Sequence, residues 1–343
     1  MRKLLNTLYI LTPKSYLSLD GENVVIQQGD KEMGRFPLHT LEMILSFSYR
    51  GASPALMGGC AKRGVGLCFF TPNGRFLARA TGEERGNVLL RKAQYRLSDE
   101  PSASCRIARN FILGKIYNSR WSLERATRDH PMRVDVPALK AASSSLAGLC
   151  RDTAQCGSLE SLRGVEGAAA ALYFGALDQL ILQSKEDFFF RERSRRPPLD
   201  RFNALLSFTY TLLANDCAAA LEGVGLDPYV GFLHRDRPGR ASLALDLMEE
   251  LRVPLGDRFV LSLINTRAIR PKDFSLQENG AVLLSDEARR KLLSTWQERK
   301  REVITHPFLG EKLPWGLVPH IQALLLARYL RGDLEEYPPF FWK

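Results

Sequence analysis

Cysteine-based architecture is missing from this chain. Its six cysteines, Cys60, Cys68, Cys105, Cys150, Cys156 and Cys217, include no Cys-x-x-Cys pair, which argues against a structural zinc site or a disulfide framework. Cys68 and Cys217 stand in apolar runs, where a reduced thiol behaves as a small hydrophobe. No apolar run approaches the roughly 20 residues that a bilayer-spanning helix needs, so no membrane partner is expected. The opening Met1-Arg2-Lys3-Leu4-Leu5-Asn6 leads into a strand-like run instead of an apolar segment with a cleavage site. Internal repeats and a long disordered tail are also lacking. These absences together predict a cytoplasmic protein.

What is present fits a soluble globular protein. A chain of 343 residues is long for one core, and two domains are the natural division. The net charge of +10, with a pI near 9.4, permits a polyanionic partner without requiring one, because surface charge also serves solubility.

The first 85 residues read as β-rich. Leu8-Tyr9-Ile10-Leu11-Thr12, Tyr16-Leu17-Ser18-Leu19 and Val24-Val25-Ile26 are short β-branched or aromatic runs, with Asp20-Gly21 as a hairpin signal between the last two. Met43–Phe47, Val65–Phe70 and Arg75–Ala78 continue the pattern, and Asn73-Gly74 marks a turn. Ser53 followed by Pro54 predicts one short helix. The texture changes near Gly86, and from there to Leu97 the residues suit a helix. Helical patterns then cover about 104–126, 135–151, 158–184, 200–222, 242–252, 286–304 and 316–331, with Asp200, Ser242 and Ser285 as N-caps. The expected architecture is α+β: a small N-terminal β domain over 1–88, then a larger all-α domain over 89–343. The closing Tyr337-Pro338-Pro339-Phe340-Phe341-Trp342 is apolar enough either to pack on the protein or to meet a partner.

Three segments carry candidate chemistry. In Gly164–Phe174 a single carboxylate, Glu166, stands among small and apolar residues. A carboxylate there must be paired, protonated or bound to a cation, because burying it bare is costly; the alternative is a first-turn glutamate that favours the helix dipole. In Gly231–Ser242, His234 closes an apolar tripeptide and precedes a turn bearing Arg235, Arg237 and Arg240. A lone histidine of this kind is either a satisfied structural residue or a ligand. In Leu243–Leu251, Asp246 and Glu249 are three apart and share a helix face, which alone is also what a solvated acidic face looks like. Taken together, carboxylate oxygens and one imidazole make a site for a divalent cation, Mg2+ or Mn2+, with the imidazole tilting the choice toward Mn2+. Beside arginine-rich loops, such a site suits phosphodiester chemistry. A fourth segment, Phe188–Arg201, sets Arg191, Arg193, Arg195, Arg196 and Arg201 beside three phenylalanines. Arginine suits phosphate and aromatic faces stack on unpaired bases; the alternative is a basic linker beside a buried phenylalanine cluster.

The ordered set of motifs resembles the CRISPR-associated integrase family, the universal adaptation integrase. Its matching text is Gly164-x-Glu166-Gly167-x-Ala169-Ala170-x-x-Tyr173-Phe174, then Arg196-Pro197-Pro198-x-Asp200-x-x-Asn203-Ala204-x-Leu206-Ser207-x-x-Tyr210. Gly231-Phe232-Leu233-His234 and Gly239-Arg240-x-Ser242-Leu243-x-x-Asp246-Leu247-x-Glu249 follow. The resemblance spans essentially the whole chain and is closest to the type I-C branch. It implies an N-terminal β-sandwich-like dimerisation domain and a helical catalytic domain whose metal ligands carry over to Glu166, His234 and Glu249. Many relatives have aspartate at the third position, and glutamate reaches one methylene further. Asp246 is implied as a supporting neighbour or an occasional ligand. The implied activity is a metal-dependent DNA endonuclease and integrase that inserts short foreign DNA into the CRISPR array by 3′-hydroxyl attack on a phosphodiester. The implied partners are DNA (spacer precursors and the CRISPR repeat), a second copy of the chain, and a small second CRISPR-associated protein of ferredoxin-like fold. Two rival readings are a non-catalytic DNA-binding scaffold and an unrelated metal-dependent hydrolase of a small substrate.

Overall fold

Residues 6–72, 76–80, 82 and 88–343 are described by the computed structural model; the Asn73-Gly74 turn and the helix start near Gly86 lie outside the described residues. The chain divides into two compact units, Met1–Arg85 with Leu284–Glu302, and Gly86–Leu283 with Val303–Lys343.

The first unit begins with β1 (Thr7–Ile10), β2 (Tyr16–Asp20), β3 (Asn23–Gln28), β4 (Lys31–Pro37) and β5 (Met43–Ser46), followed by α1 (Pro54–Arg63), β6 (Gly66–Phe70) and β7 (Phe76–Ala80). Strands β2, β3 and β4 form an antiparallel sheet. Its first hairpin turns at Gly21, whose φ of 55° suits a residue without a Cβ. A four-stranded sheet has the order β1-β5-β6-β7, with β5 parallel to both of its neighbours. Every residue of β5 is buried, as expected of a strand covered on both faces. Ile44 and Leu67 from this sheet join Leu17 and Val24 from the other, and Leu56 of α1, in one apolar cluster. Helix α1 starts as its sequence predicts: the Ser53 hydroxyl accepts from Leu56 N at 3.2 Å, Pro54 occupies the first turn, and Gly64 ends it at φ 64°.

The second unit runs through α2 (Val88–Asp99), α3 (Pro101–Asp129), α4 (Val136–Gln155), α5 (Leu159–Leu177), α6 (Arg201–Gly223), α7 (Ser242–Leu251) and α8 (Arg258–Asn265). Strands β8 (Phe274–Leu276) and β9 (Val282–Leu284) lead into α9 (Asp286–Arg301), and β10 (Val303–Thr305), β11 (Lys312–Pro314) and α10 (Val318–Leu330) complete the chain. Helix α3 packs against α4, α5 and α7, while α6 packs against α7 and α10.

Several expectations are corrected here. The region after residue 88 is not all-α, since β8 pairs with β9 and β10 pairs with β11. The boundary at 88/89 does not cut the chain into two contiguous pieces, because Leu284–Glu302 groups with the first unit. There α9 buries Leu292, Leu293 and Trp296. Helix α5 ends at Leu177, not near 184: the Asp178 carboxylate turns away to accept Phe190 N at 2.7 Å, and such side-chain bonds compete with helix continuation. Ser242 is not the cap of α7. Ala241 holds that place, and the Ser242 hydroxyl instead donates to Arg235 O at 3.3 Å. Asp200 and Ser285 do cap, accepting from Asn203 N and Ala288 N. Helix α6 is, against expectation, long and apolar enough to cross a bilayer, but 72% of that stretch is buried in the protein, as befits a core helix.

The apolar C-terminal segment is packed on its own chain. Tyr337 and Phe340 are fully buried. Asn110 Nδ2 donates to Tyr337 O at 3.0 Å, and Asn118 Nδ2 donates to Phe340 O at 2.8 Å. The anchor is the buried Glu250 of α7. Its Oε2 accepts from Phe340 N at 2.7 Å, and its Oε1 accepts from Gln322 Nε2 at 3.0 Å and from the Tyr337 hydroxyl. Burial pushes the Glu250 carboxyl up to about 7 despite these donors. An acid whose folded pKa lies above its unfolded value binds its proton better when folded. Its contribution to stability is therefore lost as pH rises from the unfolded value through about 7, by roughly 3 kcal/mol. Glu250→Gln removes this titration. The stability of that variant relative to the parent should improve between pH 5 and pH 8 in denaturant titrations, and a pH-independent difference would contradict the assignment.

Candidate active site

Helix α7 is buried nearly all round, and its acids are buried with it: Asp246, Glu249 and Glu250 are all inside. A solvated acidic face is thereby excluded, and each carboxylate has a separate set of partners.

Asp246 holds the Gly231–His234 turn. Its Oδ2 accepts from Phe232 N at 2.6 Å and Leu233 N at 2.9 Å, and its Oδ1 accepts from His234 N at 3.0 Å. The His234 ring Nδ1 lies 2.6 Å from the same Oδ1. A carboxylate in that position makes Nδ1 the protonated nitrogen of the neutral ring and leaves the Nε2 lone pair free, the arrangement that prepares an imidazole to bind a cation. Only glycine allows so close a turn, since a Cβ on Gly231 would stand 2.8 Å from Asp246 Oδ2 and 2.9 Å from the Ser242 backbone. Arg163 of α5 fixes the same turn by donating to Leu233 O at 2.8 Å. Asp246, with both oxygens engaged, is thus a positioning residue here.

Glu166 is the eighth residue of α5, whose cap is Ser158 and whose first-turn acid is Glu160, so the first-turn alternative does not hold for it. Its side chain is 29% exposed, less sequestered than the apolar sequence around it suggests. The neighbouring Gly164 and Gly167 face open space, with nothing within 4 Å of an added Cβ. Its partner is the Lys115 ammonium of α3, which forms an ion pair with Glu166 Oε1 and also stands 2.8 Å from Glu249 Oε2.

Glu249 is almost fully buried. Its Oε1 accepts from Arg252 Nη2 at 2.8 Å. Its Oε2 faces the Lys115 ammonium at 2.8 Å. Burial alone would raise this carboxyl, but the neighbouring Arg252 and Lys115 cations outweigh it and hold the group at about 2. Arg252 opens a π-helical turn, Arg252–Asp257, a feature frequent at functional sites. Its guanidinium lies 5.0 Å from the centre of the Tyr210 ring, with that of Arg193 5.5 Å from the same ring. The Tyr210 hydroxyl donates to Asp257, whose carboxyl is pushed by burial to about 6.

Among the described residues no three or more His, Cys, Asp or Glu side chains stand together as a metal-holding group. The groups able to ligate a cation are the Glu166 carboxylate, Glu249 Oε2 and His234 Nε2, and in this arrangement a lysine ammonium lies between the two acids. Arg252 is acted on by both Glu249 and Glu166, and Lys115 is within ion-pair distance of both acids, so these four groups form one electrostatic cluster.

The arginines divide into two sets. Arg191, Arg195, Arg196, Arg235 and Arg237 are exposed. Arg193 is instead structural, donating to Asn203 Oδ1 at 2.7 Å and Ser207 Oγ at 3.0 Å. Arg201 is committed to Asp187, and Arg240 to Ser242. Phe188 and Phe190, expected as stacking faces, are buried against Phe274 and against Phe174 and Phe202. Only Phe189, half-buried under Arg191, is left near the surface. Sequence reasoning missed Lys115, Arg252, Arg163, Tyr210 and Asp257 as site residues. Lys115 had a usable signal, a lone charge within Phe111-Ile112-Leu113-Gly114-Lys115-Ile116, the same kind of signal that marked Glu166.

The chain matches the family model described as CRISPR associated protein Cas1 over residues 8–298. It is similar to CRISPR-associated endonuclease Cas1 2 of Rhodospirillum rubrum, at 54% identity over 349 residues and all of both chains. It is also similar to CRISPR-associated endonuclease Cas1 1 of Chlorobaculum tepidum, at 51% identity over 343 residues and all of both chains. Among solved structures it resembles a casposase bound to its integration product, with a TM-score of 0.83 at 25% identity, covering 98% of this chain and 93% of the other.

Asp246→Asn places an amide donor against one of four donors that now share a carboxylate. We expect a loss of about 1–3 kcal/mol in stability, read from chemical denaturation. An unchanged midpoint would show that the turn is held by other contacts.

Proposed function

We propose, proceeding from the fact that the chain belongs to the Cas1 family, that it is a metal-dependent DNA endonuclease and integrase that inserts short foreign DNA into a CRISPR array. What supports this reading is that Glu166 and Glu249 share the Lys115 ammonium, and that the His234 ring is held through Nδ1 by Asp246, three residues before Glu249 on α7. Two carboxylates and a neutral imidazole are a fitting set for Mg2+ or Mn2+. Such an ion, when bound, supplies Lewis acidity toward a phosphoryl oxygen.

The chain's own residues do the rest. Asp246 holds the His234 ring and its tautomer. Arg252 keeps Glu249 ionised and oriented. The exposed Arg235 and Arg237, on the turn that follows His234, are placed to seat phosphates, with Arg191, Arg195 and Arg196 as further contacts. In the joining reaction a DNA 3′-hydroxyl oxygen forms the new bond to phosphorus and loses its proton, while the strand oxygen on the same phosphorus leaves and gains one. Water in place of the hydroxyl makes the same site an endonuclease. No covalent protein intermediate is needed. A non-catalytic scaffold would have little use for a buried carboxylate, Glu249, held ionised beside a second acid.

We also propose that the chain acts as a homodimer with a small second CRISPR-associated protein of ferredoxin-like fold. The ordered motifs support the type I-C branch.

Strand cleavage and joining on branched or repeat-containing DNA should require Mn2+ or Mg2+ and should fall by roughly 100-fold or more in Glu166→Ala and His234→Ala. The assay should be run with and without the second protein. Full activity in chelator, or in either variant, would overturn the reading. For the arginines, each Ala replacement at Arg195, Arg196, Arg235 or Arg237 should reduce the slope of log affinity against log salt by about one; Arg193→Ala should act mainly on stability instead.

A further inference from the structure

We infer that Lys115 is a resident counter-cation that pairs Glu166 with Glu249 in the metal-free protein and competes with a divalent ion for both carboxylates. The inference rests on the metal reading above and adds a residue that opposes metal binding.

Glu166 comes from α5 and Glu249 from α7, two helices that α3 packs against. The Lys115 ammonium, on a side chain only 9% exposed, is within ion-pair distance of one oxygen of each acid. Without it, the two carboxylates would share their pocket with only Arg252 to offset them, and unbalanced buried charge is costly. The two cations divide the work. Arg252 hydrogen-bonds Glu249 Oε1 at 2.8 Å with a rigid, planar fork suited to a permanent partner. Lys115 approaches Glu249 Oε2 at 2.8 Å while dividing its charge between that oxygen and Glu166 Oε1. A flexible stem with a compact charge is the cation better able to withdraw. The exchangeable position is therefore the one between Oε2 and Glu166, and Glu166, at 29% exposed, gives an arriving ion its way in. Metal binding thus exchanges one charge for two at these oxygens. The lysine makes the metal-free fold more stable and metal affinity lower than the same site would have without it.

The test measures Mn2+ binding to the DNA-free full chain by electron paramagnetic resonance of the free ion, for wild type, Lys115→Met and Glu166→Ala. Lys115→Met should bind Mn2+ about 10-fold more tightly than wild type, a coupling of ordinary size. It should also melt lower in chelator and gain more from Mn2+. A purely structural lysine would lower melting equally with and without Mn2+ and leave affinity unchanged, and that result, or weaker binding in a folded variant, overturns the inference. If neither wild type nor Lys115→Met binds above the Glu166→Ala background, the metal reading itself fails and the inference falls with it. Should Lys115→Met not fold, wild type answers the question. The acetylation rate of Lys115, read by mass spectrometry, should rise several-fold on saturation with Mn2+, and an unchanged rate overturns the inference.

Discussion

Three carboxylates buried on the ten-residue helix α7 impose the constraint around which the helical unit is arranged. A buried carboxylate must find donors or a cation, and Asp246, Glu249 and Glu250 look in different directions for them. Asp246 gathers three backbone N–H groups and a ring nitrogen from the Gly231–His234 turn. Glu249 takes Arg252 and Lys115. Glu250 takes Gln322, Tyr337 and the Phe340 backbone, and so ties down the C-terminal segment. One short helix thereby joins the His234 turn, the α3 and α5 charges and the chain's last residues.

The same constraint explains how the site is prepared for chemistry. Glu249 is held ionised by cations that outweigh its burial, whereas Glu250, one residue on and supplied only with neutral donors, is pushed the other way. The adjacent acids are separated by their partners, not by their depth. His234 is oriented by a residue that is itself fully engaged, so its free nitrogen is the product of a hydrogen-bond network anchored in the core. The exposed arginines lie outside this network, where phosphate contact costs no buried partner.

Much of the architecture was legible from local signals. Asp20-Gly21, Ser53-Pro54, Asp200 and Ser285 act through bonds within a few residues, so the chain itself specifies them. Where local reading failed, a longer-range partner had intervened. Asp178 ends α5 early to meet Phe190, and Ser242 serves the Arg235 carbonyl instead of capping α7. The arginine run shows the same limit: Arg193 and Arg195 look alike in sequence, yet only Arg193 meets Asn203 and Ser207.

The sequence by itself determined that the chain carries a β-rich first part and long helices after it, and it singled out Glu166, His234, Asp246 and Glu249, because patterning and isolated charges in apolar surroundings are properties of neighbouring residues. Only the tertiary structure decided what each of those groups meets. It set Lys115 between two acids, assigned Asp246 to the His234 turn, gave α9 to the β unit and seated the C-terminal segment on Glu250. Each of these pairings joins residues that are remote along the chain or lie on different elements, and electrostatic partners brought together by packing leave no period or spacing by which a linear reading could find them.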